Sequence, residues 1–280
     1  MEEKEDNLLD KFSEKFSENK NIVIGLLGVI ILFVLLGVFL QMEDITPEEE
    51  YISNVTLTTE DGWQINATHF DGGERGVVMM HMLGQDEGRM VWNETAHELK
   101  EEGFSVMTID LRGHAESQFR EGEEEKTYWR DFEDDYGEED WETEFKKMRL
   151  DLKAAVEYLE EESEIESLGV VGAELSSNVA AYYTDIGDPN SLVLLSPGTG
   201  PTYHRGVPIN RQILEYEGPV LFAASEDTSH QYGRTEVYYD ESPSQEKEFI
   251  EYEDAGRGTR MLDHDPELES KIIEWLDEHL

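Results

Sequence analysis

From residue 51 to the C-terminus, short unbroken apolar runs alternate with stretches in which apolar side chains recur every three or four positions. The runs fall at residues 55–59, 63–70, 76–82, 104–109, 168–171, 192–195, 219–224 and 248–252. A strand with one wet face alternates apolar and polar residues, whereas a strand covered on both faces does not. The later runs are of the second kind, so helices must cover both sides of them. Between them, Phe145, Met148, Leu152, Ala155, Val156 and Leu159 share one face of a helix. A last helix opens at Asp265-Pro266, a cap followed by proline in the first turn, and continues through Leu268, Ile272, Trp275 and Leu276. Two initial strands followed by repeated strand–helix units specify an α/β architecture, a mostly parallel sheet of about eight strands flanked by helices.

Ahead of this domain, residues 22–40 are nineteen consecutive positions without a charged or polar side chain. At ~1.5 Å per residue they span about 28 Å, close to the hydrocarbon thickness of a bilayer. A cleaved signal peptide would have a shorter apolar region with a small-residue cleavage site after it. Here the run continues into Gly37-Val-Phe-Leu-Gln-Met-Glu-Asp. The sequence therefore predicts one transmembrane helix over residues 21–41, between an N-terminal segment (1–20), a linker (42–50) and the α/β domain (51–280). Lys4, Lys11, Lys15 and Lys20 precede the run, and no lysine or arginine occurs in residues 41–60. That asymmetry keeps the N-terminus cytoplasmic and puts the domain outside a cell membrane crossed once, with the lipid bilayer as the partner of residues 22–40. Asn54, Asn66 and Asn93 each open an Asn-x-Thr triplet, a glycan acceptor on an external domain.

Composition excludes several classes of function. The chain carries 66 acidic and 22 basic residues, a formal charge of −44. Binding to nucleic-acid phosphates needs the opposite sign, so no nucleic-acid partner is expected. With no cysteine, the chain has no disulfide, thiolate metal site or cysteine nucleophile. No cofactor is expected.

In an open α/β sheet, ligands bind beyond the C-terminal ends of the strands. The successive strand ends read His81-Met82-Leu83-Gly84-Gln85-Asp86, Asp110-Leu111-Arg112-Gly113-His114-Ala115-Glu116-Ser117 and Gly172-Ala173-Glu174-Leu175-Ser176. Then come Leu195-Ser196-Pro197-Gly198, Ala224-Ser225-Glu226-Asp227 and Asp254-Ala255-Gly256-Arg257-Gly258-Thr259. Together, over residues 51–280, these resemble the α/β-hydrolase superfamily, particularly its small bacterial and archaeal esterases and dienelactone-hydrolase-like members. The Asp110 tract is close to that family's Asp-x-Arg-Gly-His-Gly-x-Ser, with Ala115 in place of glycine.

The resemblance implies an α/β-hydrolase fold preceded by the transmembrane helix, and it implies where a Ser–Asp/Glu–His triad would stand. The nucleophile turn reads Gly172-x-Glu174-x-Ser176, the acid position is Asp227, and Arg257 occupies the histidine position. Relatives with a carboxylate nucleophile use aspartate and still need histidine to activate water; arginine stays protonated and cannot do so. Glu174 and Arg257 are expected to meet in a charge-assisted contact, with Asp227 a second carboxylate for the same guanidinium. The oxyanion-hole donors implied are the N–H groups of Leu83, with Met82 beside it, and Leu175. Ser176 and Ser177, the rival nucleophiles, fall in the first turn of the next helix. His81, His114 and His264 read as structural or surface residues.

The segment 117–143 is acidic yet interleaved with Tyr128, Trp129, Phe132, Tyr136 and Trp141. Such an insert is expected to pack in part over the ligand-binding edge, the alternative being a disordered acidic loop. Within it, Asp131 to Glu142 resembles calcium-loop spacing with the glycine one place late; a solvated acidic face is the simpler reading, and no metal site is expected. The function expected is a non-catalytic binding or scaffold module, with a small acyl or carboxylate ligand and an unidentified protein partner. The alternatives are a hydrolase of carboxylic esters or related acyl substrates using a non-standard site, and a purely structural surface protein.

Overall fold

The computed structural model describes residues 52–132, 143–198 and 207–280. The expected N-terminal segment, transmembrane helix and linker lie outside the described residues, as do most of the calcium-loop-like tract and the insert's Tyr136 and Trp141. Among the described residues, no helix is long and apolar enough to cross a membrane.

The chain opens with a hairpin, β1 (Ile52–Thr58) against β2 (Trp63–Phe70). Four parallel strands then build the centre: β3 (Arg75–Met80), β4 (Phe104–Ile109), β6 (Ser167–Ala173) and β7 (Ser191–Leu195). Two more, β8 (Val220–Ser225) and β9 (Lys247–Tyr252), extend it to the far edge. The spatial order is β1-β2-β4-β3-β6-β7-β8-β9, antiparallel as far as the β2–β4 pairing and parallel from there on. The expectation of about eight strands needs one correction, because among the described residues the sheet is mixed and has nine. The ninth, β5 (Phe119–Arg120), pairs Trp63 with Arg120 inside the expected insert. Two residues are too few to leave an apolar signature.

Central strands β4, β7 and β8 are buried along their whole length, as unbroken apolar runs require, while edge strand β9 buries only Ile250. One face of the sheet packs on α2 (Met148–Glu162), α3 (Leu175–Tyr183), α4 (Asn210–Glu215) and α5 (Ser229–Glu241). The other packs on α1 (Asn93–Glu101), α6 (Arg260–His264) and α7 (Glu267–His279). The helical stripe from Phe145 to Leu159 is buried in the first core, and Leu268, Ile272, Trp275 and Leu276 in the second. Asp265 caps the last helix by accepting the Glu267 N–H at 3.0 Å.

Candidate functional site

The turn between β6 and α3 carries the site. Gly172 ends the strand so tightly that a side chain there would lie 2.4 Å from the Ser176 carbonyl. Glu174 then takes φ +55° and ψ −109°, a backbone conformation costly for any residue but glycine, and Leu175 opens the helix. The Glu174 N–H donates to the Leu195 carbonyl at 2.8 Å, tying the turn to the end of β7. The Glu174 side chain is only 3% exposed, and its Oε1 lies 3.1 Å from Nε of Arg257, whose side chain is 36% exposed. The expected pair therefore meets, but with its carboxylate inside and its guanidinium at the water's edge.

Asp227 is exposed and accepts the Gly256 N–H on Oδ1 at 3.2 Å, so it contacts the backbone of the Arg257 loop. Two residues not singled out in the sequence do the same. Ser225 Oγ accepts the Ala255 N–H at 2.8 Å, and Ser196 Oγ accepts the Gly258 N–H at 3.1 Å. Their only trace in the sequence is that each is a hydroxyl ending an apolar strand run.

Ser176 and Ser177 are fully buried. The Ser176 hydroxyl accepts the Ala173 N–H at 2.7 Å and faces the carbonyls of Met80 and Ala173, both at 3.0 Å. Ser177 Oγ donates to the carbonyl of Gly172 or Leu195, at 2.8 and 2.9 Å. Both hydroxyls are committed to folding the turn and are out of reach as nucleophiles.

The loop after β3 lies alongside. Among the described residues, neither the Leu83 nor the Leu175 N–H is paired with a backbone carbonyl. Met82 is buried and touches the Arg257 loop, since a side chain at Gly258 would come within 3.3 Å of it. A cleft of ≈ 290 Å³ opens between the two loops, walled by Met82, Gly84, Gln85, Val91, Thr259 and Arg260. Gln85 and Thr259 bridge it with a side-chain hydrogen bond of 3.1 Å.

Two histidines hold this loop from beneath. His81 Nε2 accepts the Leu111 N–H at 3.1 Å while Nδ1 donates to the Met82 carbonyl at 2.8 Å. His114 Nε2 accepts the Gly84 N–H at 3.1 Å while Nδ1 donates to the Arg112 carbonyl at 3.0 Å. Both rings must be neutral to accept these bonds. Burial lowers the pKa of each, that of His114 to about 3, with the neighbouring His81 adding to the effect. His264 is exposed. No histidine among these contributes a base to the turn at Glu174 by the contacts they make. The insert covers the outer side: Trp129 stacks on His114 with planes 6° apart, and a side chain at Gly84 would meet its ring at 3.1 Å. Phe132 packs edge-on against Trp63 and Phe145. Among the described residues, no group of acidic or histidine side chains is placed to hold a metal ion.

Comparison with known proteins agrees with this architecture. The family model described as serine aminopeptidase, S33, matches residues 74–221, just over half of the 280-residue chain. An esterase of Pyrococcus furiosus superposes with a TM-score of 0.62 at 17% identity, over 81% of this chain and 92% of its own. A dienelactone hydrolase from Anabaena variabilis gives 0.58 at 14% identity, over 82% and 98%. A thermophilic esterase from Thermogutta terrifontis gives 0.59 at 16% identity, over 81% and 100%. No curated protein sequence matches the chain. At such identities the solved structures speak for the fold, and the family model adds membership: the chain belongs to the serine aminopeptidase S33 family of α/β-hydrolase-fold proteins.

Proposed function

We propose that this chain is a membrane-anchored α/β-hydrolase-fold protein that has lost the serine and histidine of the catalytic triad and works as a binding or scaffold module outside the cell membrane. The observation that carries the reading is the buried Glu174 carboxylate on the strained strand-to-helix turn, paired at 3.1 Å with Arg257. In this reading Glu174, Asp227 and Arg257 stand at the nucleophile, acid and histidine positions. A carboxylate clasped by a guanidinium is a poor nucleophile, and arginine does not take up a proton to activate water. The N–H groups of Leu83 and Leu175, with Met82 beside them, hold the acyl or carboxylate group of a small ligand. The anchor rests on the apolar run 22–40 and on its flanks, four lysines in residues 1–20 and no lysine or arginine in residues 41–60.

Family membership favours a second reading, a hydrolase of ester or related acyl substrates with a non-standard site. Activity assays on the full-length chain with short activated esters decide between the two. No turnover is expected from the native protein, and measurable turnover is expected from the double variant Glu174→Ser/Arg257→His. Native activity that Glu174→Gln abolishes would establish the hydrolase instead.

A further inference from the structure

We infer that Ser196 is a positioning residue, holding the Arg257 loop so that its guanidinium stays on Glu174, with Asp227 as the second clamp on that loop. The inference rests on the proposed reading of the Glu174–Arg257 pair and adds what fixes it. Ser196 is fully buried and sits at φ +53°, one of four non-glycine residues with positive φ among the described residues. Such a conformation is costly for a non-glycine residue and persists where the surroundings over-determine it. Its neighbour across the sheet is the other strained strand end, because Glu174 donates its N–H to Leu195, the residue before Ser196.

The unusual backbone lets the hydroxyl reach sideways from the end of β7 to the next loop but one. There it accepts the Gly258 N–H at 3.1 Å, immediately after Arg257. On the other side of Arg257, Asp227 accepts the Gly256 N–H at 3.2 Å, and Ser225 accepts that of Ala255 at 2.8 Å. Gly256 and Gly258 themselves have φ of +72° and +56°, so this loop has little intrinsic preference for one shape and depends on the oxygens that receive its N–H groups. Arg257 is thus flanked by two backbone donors, each held by a side chain from a different strand end. The acid position keeps its carboxylate but has changed its work, from orienting a ring to fixing a backbone.

Site-resolved modification of arginine by phenylglyoxal in the full-length chain, read by peptide mass spectrometry, tests the inference. Exposed Arg260, three residues on, is the internal reference. In the native protein Arg257 should react several-fold more slowly than Arg260. In Ser196→Ala and in Ser196→Gly, which relieves the strain and so folds readily, Arg257 should rise at least threefold towards the Arg260 rate. The Arg260 rate should not move. Asp227→Ala should act in the same direction, and Asp227→Asn, which keeps an accepting oxygen, should restore protection. Unchanged Arg257 reactivity in both Ser196 variants would overturn the positioning role. Glu174→Gln separates the two levels: if it leaves Arg257 as protected as in the native protein, the pair itself is the error.

Discussion

Arg112 and Arg257 both follow strand ends and both meet carboxylates, yet they occupy opposite kinds of environment. Arg112 is wholly buried, and its fork reaches Asp151, Asp61 and Glu144 at 2.7 to 3.1 Å. Those carboxylates come from helix α2, from the β1–β2 turn and from the stretch that follows the insert, and Glu144 is held further by Arg120 and the Trp63 indole. Burial raises the pKa of Asp61 and Glu144, but the Arg112 charge outweighs it and leaves both below their ordinary range. Asp151, deepest of the three, is pushed up to about 6 by burial against the pull of the same guanidinium. Arg257, by contrast, keeps more than a third of its side chain in water. A network closed around a buried guanidinium and a buried Asp151 acts as a strut, and a pair at the solvent boundary can exchange partners. The difference separates the frame of this domain from its site.

The largest effect should come from breaking the strut. Arg112→Ala leaves a fully buried Asp151 without its counter-charge and should cost about 3–5 kcal/mol in urea denaturation. Arg112→Lys should recover little of it, because one ammonium cannot span three carboxylates. A smaller loss is expected in acid. His114, near 3 when folded and about 6.5 when unfolded, contributes stability that is complete above pH 6.5 and disappears as pH falls towards 3. Between pH 6.5 and 4 this amounts to about 3 kcal/mol, with His81 acting in the same sense. Asp151 works oppositely, gaining stability as pH falls through about 6, and offsets part of the loss. The melting temperature should fall with pH across this range, and His114→Gln, whose Oε1 takes the place of the Nε2 that accepts the Gly84 N–H, should flatten that dependence.

At the site, the asymmetry of exposure sets the order of costs. Arg257→Ala takes the guanidinium from a buried carboxylate and should cost about 2 kcal/mol, a figure already reduced for the solvent around the guanidinium. Glu174→Ala takes the carboxylate from a side chain already partly in water and should cost less, and the double replacement less than Arg257→Ala alone. Equal costs in chemical denaturation would remove the distinction between strut and site. Smallest of all, Ser176→Ala should cost about 1 kcal/mol through its lost hydrogen bonds and leave any ester turnover of the chain unchanged.

The sheet is readable because burial on both faces writes itself as unbroken apolar runs, and the meeting of Glu174 with Arg257 because both stand just past strand ends. Asp227 shows where such reading stops. Its place in the chain suggests a partner for the guanidinium, but its carboxylate accepts the Gly256 N–H, and no residue pattern encodes an acceptor for a particular backbone N–H. Ser196 was hidden for the same reason, since its role depends on a φ angle that serine rarely adopts. The exposure of Arg257 is equally out of reach, as it depends on tertiary packing around its loop and not on residue type. β5 was missed for brevity alone.

The turn at Glu174 has a consequence for anyone who varies this protein. Ala115, Glu164 and Ser196 share its left-handed φ. A saturation library at position 174 would therefore rank residues first by tolerance of its φ +55°, ψ −109° conformation, with glycine enriched whatever its chemistry. Parallel libraries at positions 115 and 164, remote from the Arg257 pair in the contacts they make, would supply the baseline. Subtracting them leaves the preference for a carboxylate as a selectable trait in its own right.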